Sequence, residues 1–321
     1  MTSRGGEAAP RRIAAIDVAR GLALIGMAVY HLSWDLAYFG LAPAALPFSP
    51  GMRIFSHIVA SAFLGLAGVS LAIAHRFGTR WRAFFLRLLK IAAAAALVTL
   101  GSYFAAPDET IWFGILHCIA AASLLAAPLL RAPPWAALLA GAAAIAAPRV
   151  VQSAVFNPPV LLWLGLGTEP PSTLDWRPLL PWAGATLMGL GLTRLFLPQL
   201  FSWPLALWRP RASPGRALAF AGRHSLIIYL VHQPILFGLI YALTQLTGVA
   251  ALQGRDRYIA TCRPACVEAG GEPEACKTAC ECVTARAENA GLAASLTSHA
   301  ISQADRARLS EIVKSCGSES P

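Results

Sequence analysis

Charge is what this chain has least of: only 13% of its 321 residues are Asp, Glu, Lys or Arg, about half the charged fraction of an ordinary soluble domain. With 56% hydrophobic residues and a mean hydropathy of +0.57, that shortage excludes a soluble globular protein. Acidic residues are the scarcest: before Val249 there are 7 Asp+Glu against 18 Lys+Arg, and after it 9 against 8. The formal net charge of +10 thus belongs to the apolar part, where positive loops set membrane orientation. No RNA- or DNA-binding motif accompanies it, so nucleic acid is not expected as a partner. Also missing is a small-residue cleavage site after an apolar region of signal-peptide length, so the first apolar segment reads as a retained helix. No inverted repeat of hydropathy is evident, which weakens a transporter-like or proton-conducting reading.

What is present is a series of apolar runs near residues 17–40, 54–74, 84–104, 111–130, 134–148, 178–199 and 220–246. They predict an all-α, polytopic membrane bundle of about seven transmembrane helices over residues 1–250. The fifth run is short for a crossing of about 20 residues; between Pro133-Pro134 and Pro148 it reads as tilted, re-entrant or extended past Pro148. With the N-terminus in the cytoplasm, fifteen Lys and Arg fall on that side. Three, Arg53, Arg149 and Arg177, fall on the other. The bias predicts N-terminus inside and C-terminus outside. The Arg-rich turn around Trp81 and Arg82 reads as an orientation signal in contact with membrane lipids, or as a landing site for an anionic cofactor. Residues 151–177 are apolar but broken by prolines, which fits a loop lying in or over the outer interface. Within it Asp175 and Arg177 read as a surface pair or as part of a substrate rim.

From Arg255 the chain becomes polar and cysteine-rich, so residues 251–321 read as a separate helical tail. Cys262-x3-Cys266 and Cys276-x3-Cys280 each place two thiols on one helix face, and Glu268 to Pro273 has the composition of a turn. A helical hairpin then pairs Cys262 with Cys280 and Cys266 with Cys276, leaving Cys282 for Cys316. Thiolates at this spacing also bind zinc. An outside location favours disulfides, and no metal is expected. The tail offers no nucleophile with a paired base, so it reads as structural, or as a contact for an envelope partner or a second copy. Cys118 lies in a span and reads as packing.

Ionisable residues in lipid are expensive and by default functional hypotheses. The first run carries Asp17 and Arg20 at one end and His31 and Asp35 towards the other. His31 and Asp35 are four residues apart, on one helix face. By depth, His31, Asp35, His57 and His117 gather in the outer half, whereas Asp17, Arg20, Arg223 and His224 gather at the inner face. A carboxylate can hold an imidazole in one tautomer so that its other nitrogen acts as a base. His117 and His232, each taken alone, read first as hydrogen-bonded helix contacts. Pro234 predicts a kink that frees a carbonyl near Leu230.

Several motifs then converge: Arg12-Ile13-x3-Asp17-x2-Arg20-Gly21, Met27 and His31-x3-Asp35-Leu36; Phe63-Leu64-x2-Ala67-Gly68; Gly114-Ile115-Leu116-His117; Leu164-Gly165-Leu166; Asp175-x2-Pro178-x2-Pro181-Trp182; and Gly222-Arg223-His224-Ser225-Leu226-x2-Tyr229-Leu230-x-His232-Gln233-Pro234. Together they resemble bacterial membrane proteins similar to heparan-alpha-glucosaminide N-acetyltransferase, over about residues 11–245 and not the tail. The resemblance implies a multi-pass inner-membrane acyltransferase that moves an acetyl group from cytoplasmic acetyl-CoA to a periplasmic or envelope glycan. It implies Arg20, Arg223, His224 and the basic loop as the receivers of coenzyme A phosphates. The luminal histidine of the lysosomal member aligns near Pro47 here. The base therefore falls to His31, oriented by Asp35, or to His57, with His57 and His117 lining the acceptor side. A non-catalytic envelope scaffold is the remaining alternative.

Overall fold

A computed structural model describes residues 12–247, 249–296 and 302–318. Its regular structure is helical, with no strand among the described residues. The longer helices are α1 (Ala14–Tyr38), α2 (Pro50–Ala74), α3 (Trp81–Ala105), α4 (Ile115–Ala126), α5 (Pro134–Val150), α6 (Leu179–Leu195), α7 (Ser213–Arg223) and α8 (Ser225–Leu246). In the tail follow α9 (Val249–Glu268), α10 (Pro273–Asn289) and α11 (Gln303–Ser318). Four of them, α1, α2, α3 and α8, are long and apolar enough to cross a membrane; α4 and α5 are shorter apolar helices.

Local sequence accounts for most boundaries. Pro50 and Pro134 open α2 and α5 at the first helical positions, where a missing N–H costs nothing. The Ser49 hydroxyl accepts from the Met52 N–H and caps α2. The fifth helix does run past Pro148, to Val150. One expectation is corrected. The last membrane run is not one helix over 220–246: the chain breaks at His224 (φ −104, ψ 22) between α7 and α8. Pro234 lies within α8, which continues to Leu246.

The chain forms two compact units, one of residues up to His31 with Pro47–Pro234, the other of Leu32–Leu46 with Ile235 onward. In the first, buried Ala60, Leu64, Ile91, Ala95, Ile119 and Trp182 make one core cluster, and Leu71, Phe84, Leu130, Leu187 and Leu190 belong to a second. Close approach of α2 to α6 depends on glycine. A Cβ on Gly68 would collide with the Thr186 carbonyl, and one on Gly189 with the backbone of Gly65. The buried Thr186 hydroxyl completes the seam by donating to the Leu64 carbonyl at 3.1 Å. The proline-rich loop is tied down by backbone bonds from Leu174 to Glu109, Leu179 to Trp163 and Leu180 to Leu164.

In the second unit, Tyr38, Phe39, Phe237 and Tyr241 stack on one another. The tail is a disulfide-linked helical hairpin, turning at Gly270 (φ 95). Cys262 pairs with Cys280 and Cys266 with Cys276 across α9 and α10, and Cys282 pairs with Cys316 of α11. The first two pairings follow the helical spacing, and the third is the pair that spacing leaves over. Cys118 is free and buried.

Candidate functional site

The site of the first unit begins where α7 crosses α1. Gly222 lies so close to α1 that a Cβ would overlap the Asp17 carbonyl, which brings Arg223 beside the start of α1. There the buried Asp17 carboxylate is shared by Arg12 and Arg20, each at 3.3 Å. Arg20 also donates to the Ser70 hydroxyl of α2. Arg87 and Lys90, one turn apart on α3, face the same space. Arg20, Ser70, Arg87, Lys90 and Arg223 line a cavity of about 340 Å³ whose other wall is Ile115, Ile119, Leu226 and Tyr229. Among the described residues, Arg87, Lys90 and Arg223 have no carboxylate within ion-pair distance. Uncompensated cations around a partly apolar cavity suit a ligand with phosphates at one end and an apolar or acyl arm at the other.

Tyr229, which also lines that cavity, bonds one of a pair of histidines. The Nδ1–H of His232 donates to the Tyr229 carbonyl at 2.6 Å. A carbonyl only accepts, so this bond places the proton on Nδ1 and leaves Nε2 as a bare lone pair. That Nε2 is buried and without a partner among the described residues. The His232 ring meets His31 edge-on, with centroids 5.0 Å apart. An imidazole with a fixed tautomer and a free, desolvated lone pair is the equipment of a general base.

A second arrangement lies around Trp182. The His57 ring stacks on its indole at 5.3 Å and an interplanar angle of 9°, and the Arg177 guanidinium lies over the same ring system at 5.1 Å. Arg177 also donates to the Ser56 hydroxyl at 2.5 Å, while the His57 Nδ1–H donates to the Arg53 carbonyl. Asp175 and Arg177 therefore form no surface ion pair. Asp175 instead accepts the Ile115 N–H at 2.8 Å and caps α4.

The candidates named from sequence are distributed as follows. His31 stands in the pair with His232. Asp35 is buried, at 3% exposure, and falls in the second unit. His57 is exposed and stacked on Trp182. Both ring nitrogens of His117 are engaged: Nδ1 accepts the Gly114 N–H and Nε2 bonds the Thr99 hydroxyl, each at 3.2 Å, which ties α4 to α3. Arg20 and Arg223 line the basic cavity. His224 does not; its Nδ1–H donates to the Phe220 carbonyl at the end of α7.

Sequence reasoning did not find the pairing of His232 with His31 or the contacts of Arg177 with Ser56 and Trp182, and it counted Arg87 and Lys90 only among the basic residues that set orientation. The i, i+3 spacing of Arg87 and Lys90, on a helix whose one other charge is Arg82, was a usable signal. For Arg177 none exists, because Ser56 is 121 residues away in the chain.

No curated protein and no solved structure matches this chain. A family profile described as heparan-alpha-glucosaminide N-acetyltransferase, catalytic, matches residues 12–234, the stretch that carries both the basic cavity and the histidine pair. The chain therefore belongs to the heparan-alpha-glucosaminide N-acetyltransferase catalytic family and is an acetyltransferase-like membrane protein.

Proposed function

We propose that the protein transfers an acetyl group from acetyl-CoA to a glycan-type acceptor on the other side of the membrane. The observation that carries this reading is a cavity that gathers four cations and an apolar wall. Arg20, Arg87, Lys90 and Arg223 line it together with Tyr229, whose carbonyl fixes the His232 tautomer. The cations suit the phosphates of coenzyme A, and the apolar wall suits its pantetheine arm. The thioester would then meet the histidine pair, His232 lying three residues beyond Tyr229 on α8.

The chemistry needs one base. A free imidazole nitrogen of the His31–His232 pair takes the proton of the acceptor hydroxyl or amine as that atom attacks the thioester carbonyl. The C–S bond breaks, and the imidazolium returns the proton to the departing thiolate. The stacked His57, Trp182 and Arg177 offer an aromatic and cationic platform suited to a sugar acceptor. The family name, with its glucosaminide acceptor, supports a glycan by analogy only.

Membrane placement belongs to the same proposal. Besides the four long spans, α4, α5 and α6 would complete seven crossings. At 1.5 Å per residue the 17-residue α5 reaches about 25 Å, close to the ~30 Å of a hydrocarbon core; α6 is shorter, because Leu180 (φ −105, ψ 129) leaves helical geometry near its start. Fifteen basic residues on one side against three on the other support an N-terminus in the cytoplasm of a bacterial inner membrane and a periplasmic tail.

Acetyl-CoA turnover by the purified full chain in detergent tests the proposal. Wild type is expected to release CoA, and His31→Ala to lose on the order of 10²–10⁴-fold in kcat. Turnover untouched by changes at both His31 and His232 would remove the pair from the mechanism. Absence of acetyl-CoA binding would return the site to transport or scaffolding.

A further inference from the structure

A second cavity, of about 440 Å³, lies beside the turn between α2 and α3, and none of its lining residues belongs to the first. His75, Arg76 and Thr79 come from the end of α2 and the turn after it, Arg131 from the approach to α5, and Arg194 from the end of α6. Its three guanidiniums are each held in place. Arg194 donates to the carbonyls of Leu129 and Ala132 at 2.5 and 2.6 Å. Arg131 donates to the Thr79 hydroxyl at 3.2 Å and lies over Trp81. Arg76 lies over the rings of Phe77 and Phe201 at 4.5 and 4.2 Å. These contacts fix position without neutralising charge.

Nothing in the neighbouring sequence neutralises it either. No Asp or Glu occurs between Asp35 and Asp108, between Glu109 and Glu169, or between Asp175 and Asp256, and the cavity is built wholly from those three tracts. Among the described residues no carboxylate pairs with Arg76, Arg131 or Arg194. A fourth polar group waits there. The Nδ1–H of His75 donates to the Leu71 carbonyl at 2.9 Å, and its Nε2 is buried without a partner among the described residues. Three converging guanidiniums held near a low-dielectric membrane interface repel one another unless an anion joins them. Arginine forks match phosphate oxygens in geometry as well as charge.

We infer that this cavity is a phosphate-binding site separate from the one proposed for the acyl donor. Arg76, Arg131 and Arg194 supply the donors to the phosphate oxygens. The inference does not depend on acetyl transfer. The phosphate comes from a phospholipid headgroup or from a soluble phosphate compound, and the two sources are separable.

The test uses the full chain carrying Arg87→Gln and Lys90→Gln, so that phosphates binding at the donor cavity do not confuse the readout. It is delipidated and titrated with nanodiscs containing phosphatidylglycerol or phosphatidylcholine, and separately with inorganic pyrophosphate. Native mass spectrometry reads retained lipid, and calorimetry reads pyrophosphate binding. Saturable binding in either arm is expected, and the responding arm names the source. Adding Arg76→Gln and Arg131→Gln should weaken it at least about tenfold. Thr79→Glu, which places a carboxylate beside Arg131, should do the same without removing any cation, and serves if the double change does not fold. Acetyl-CoA affinity of the otherwise wild-type chain should be unchanged by Thr79→Glu. Binding in neither arm, or binding that survives both sets of changes, overturns the inference.

Discussion

At the scale of single residues, one device recurs. His57, His75, His224 and His232 each donate Nδ1–H to a carbonyl three or four positions earlier in the chain, so each imidazole is locked in one tautomer with Nε2 bare. Surroundings then decide use. His224 and His57 are exposed and His75 faces the second basic cavity, but the Nε2 of His232 is buried next to His31. His232→Gln should therefore lower kcat for acetyl-CoA turnover by a factor on the order of 10²–10⁴ with little change in donor KM. His117 differs, because both its nitrogens are already bonded. His117→Ala should lower thermal stability by about 1–3 kcal/mol through the groups left unsatisfied, measurable as a lower Tm. A variant with full stability and abolished turnover would instead give His117 a direct part in the reaction.

At the scale of elements, small residues set the distances on which the donor cavity depends. Gly222 lets α7 lie against α1, and with it Arg223 beside Asp17 and Arg20. Even Gly222→Ala must push these helices apart, since the added Cβ overlaps the Asp17 carbonyl. The expected result is a several-fold rise in KM for acetyl-CoA with a smaller change in kcat. Gly68→Leu at the α2–α6 seam should cost about 1–3 kcal/mol by overpacking, seen as a lower Tm. An unchanged Tm would mean that the seam relaxes freely. The capping of α4 by Asp175 shows how a loop far along the chain finishes a helix that its own flanking residues, Phe113 and Gly114, leave uncapped.

At the scale of the whole molecule, the predictions concern compartments. Of seven cysteines, one is free, so denatured, unreduced protein should show one reactive thiol and reduced protein seven. Six thiols without reductant would contradict the disulfide tail. Reduction releases loops with separations of 10, 18 and 34 residues, worth roughly 3 kcal/mol for a loop of about 15, and should loosen the tail. The donor cavity lies in the other compact unit, so acetyl-CoA affinity should survive that reduction. Orientation is testable by C-terminal fusion: a periplasm-dependent phosphatase should be active there and a cytoplasm-dependent fluorescent protein dark. The reverse pattern would invert the assignment of donor and acceptor sides.

Much of this was legible in the residues because it is local or additive along the chain. Apolar run length selects membrane helices, and the Cys-x3-Cys spacing on facing helices pointed to the two hairpin disulfides and left Cys282 for Cys316. The motifs from Arg12 to Pro234 carried the family. The break at His224 escaped notice because hydropathy averages over a turn and does not register a single residue leaving helical geometry. Only the tertiary structure decided which long-range partners meet: Arg177 with Ser56 rather than Asp175, Arg20 with Ser70, and His31 with His232. It also separated the basic residues into two cavities, where composition offered one undivided positive face. The physical reason is that periodicity and charge fix how each helix faces its surroundings. Which faces come together depends on close helix approach at residues such as Gly68, Gly189 and Gly222, and no single stretch of sequence contains that information.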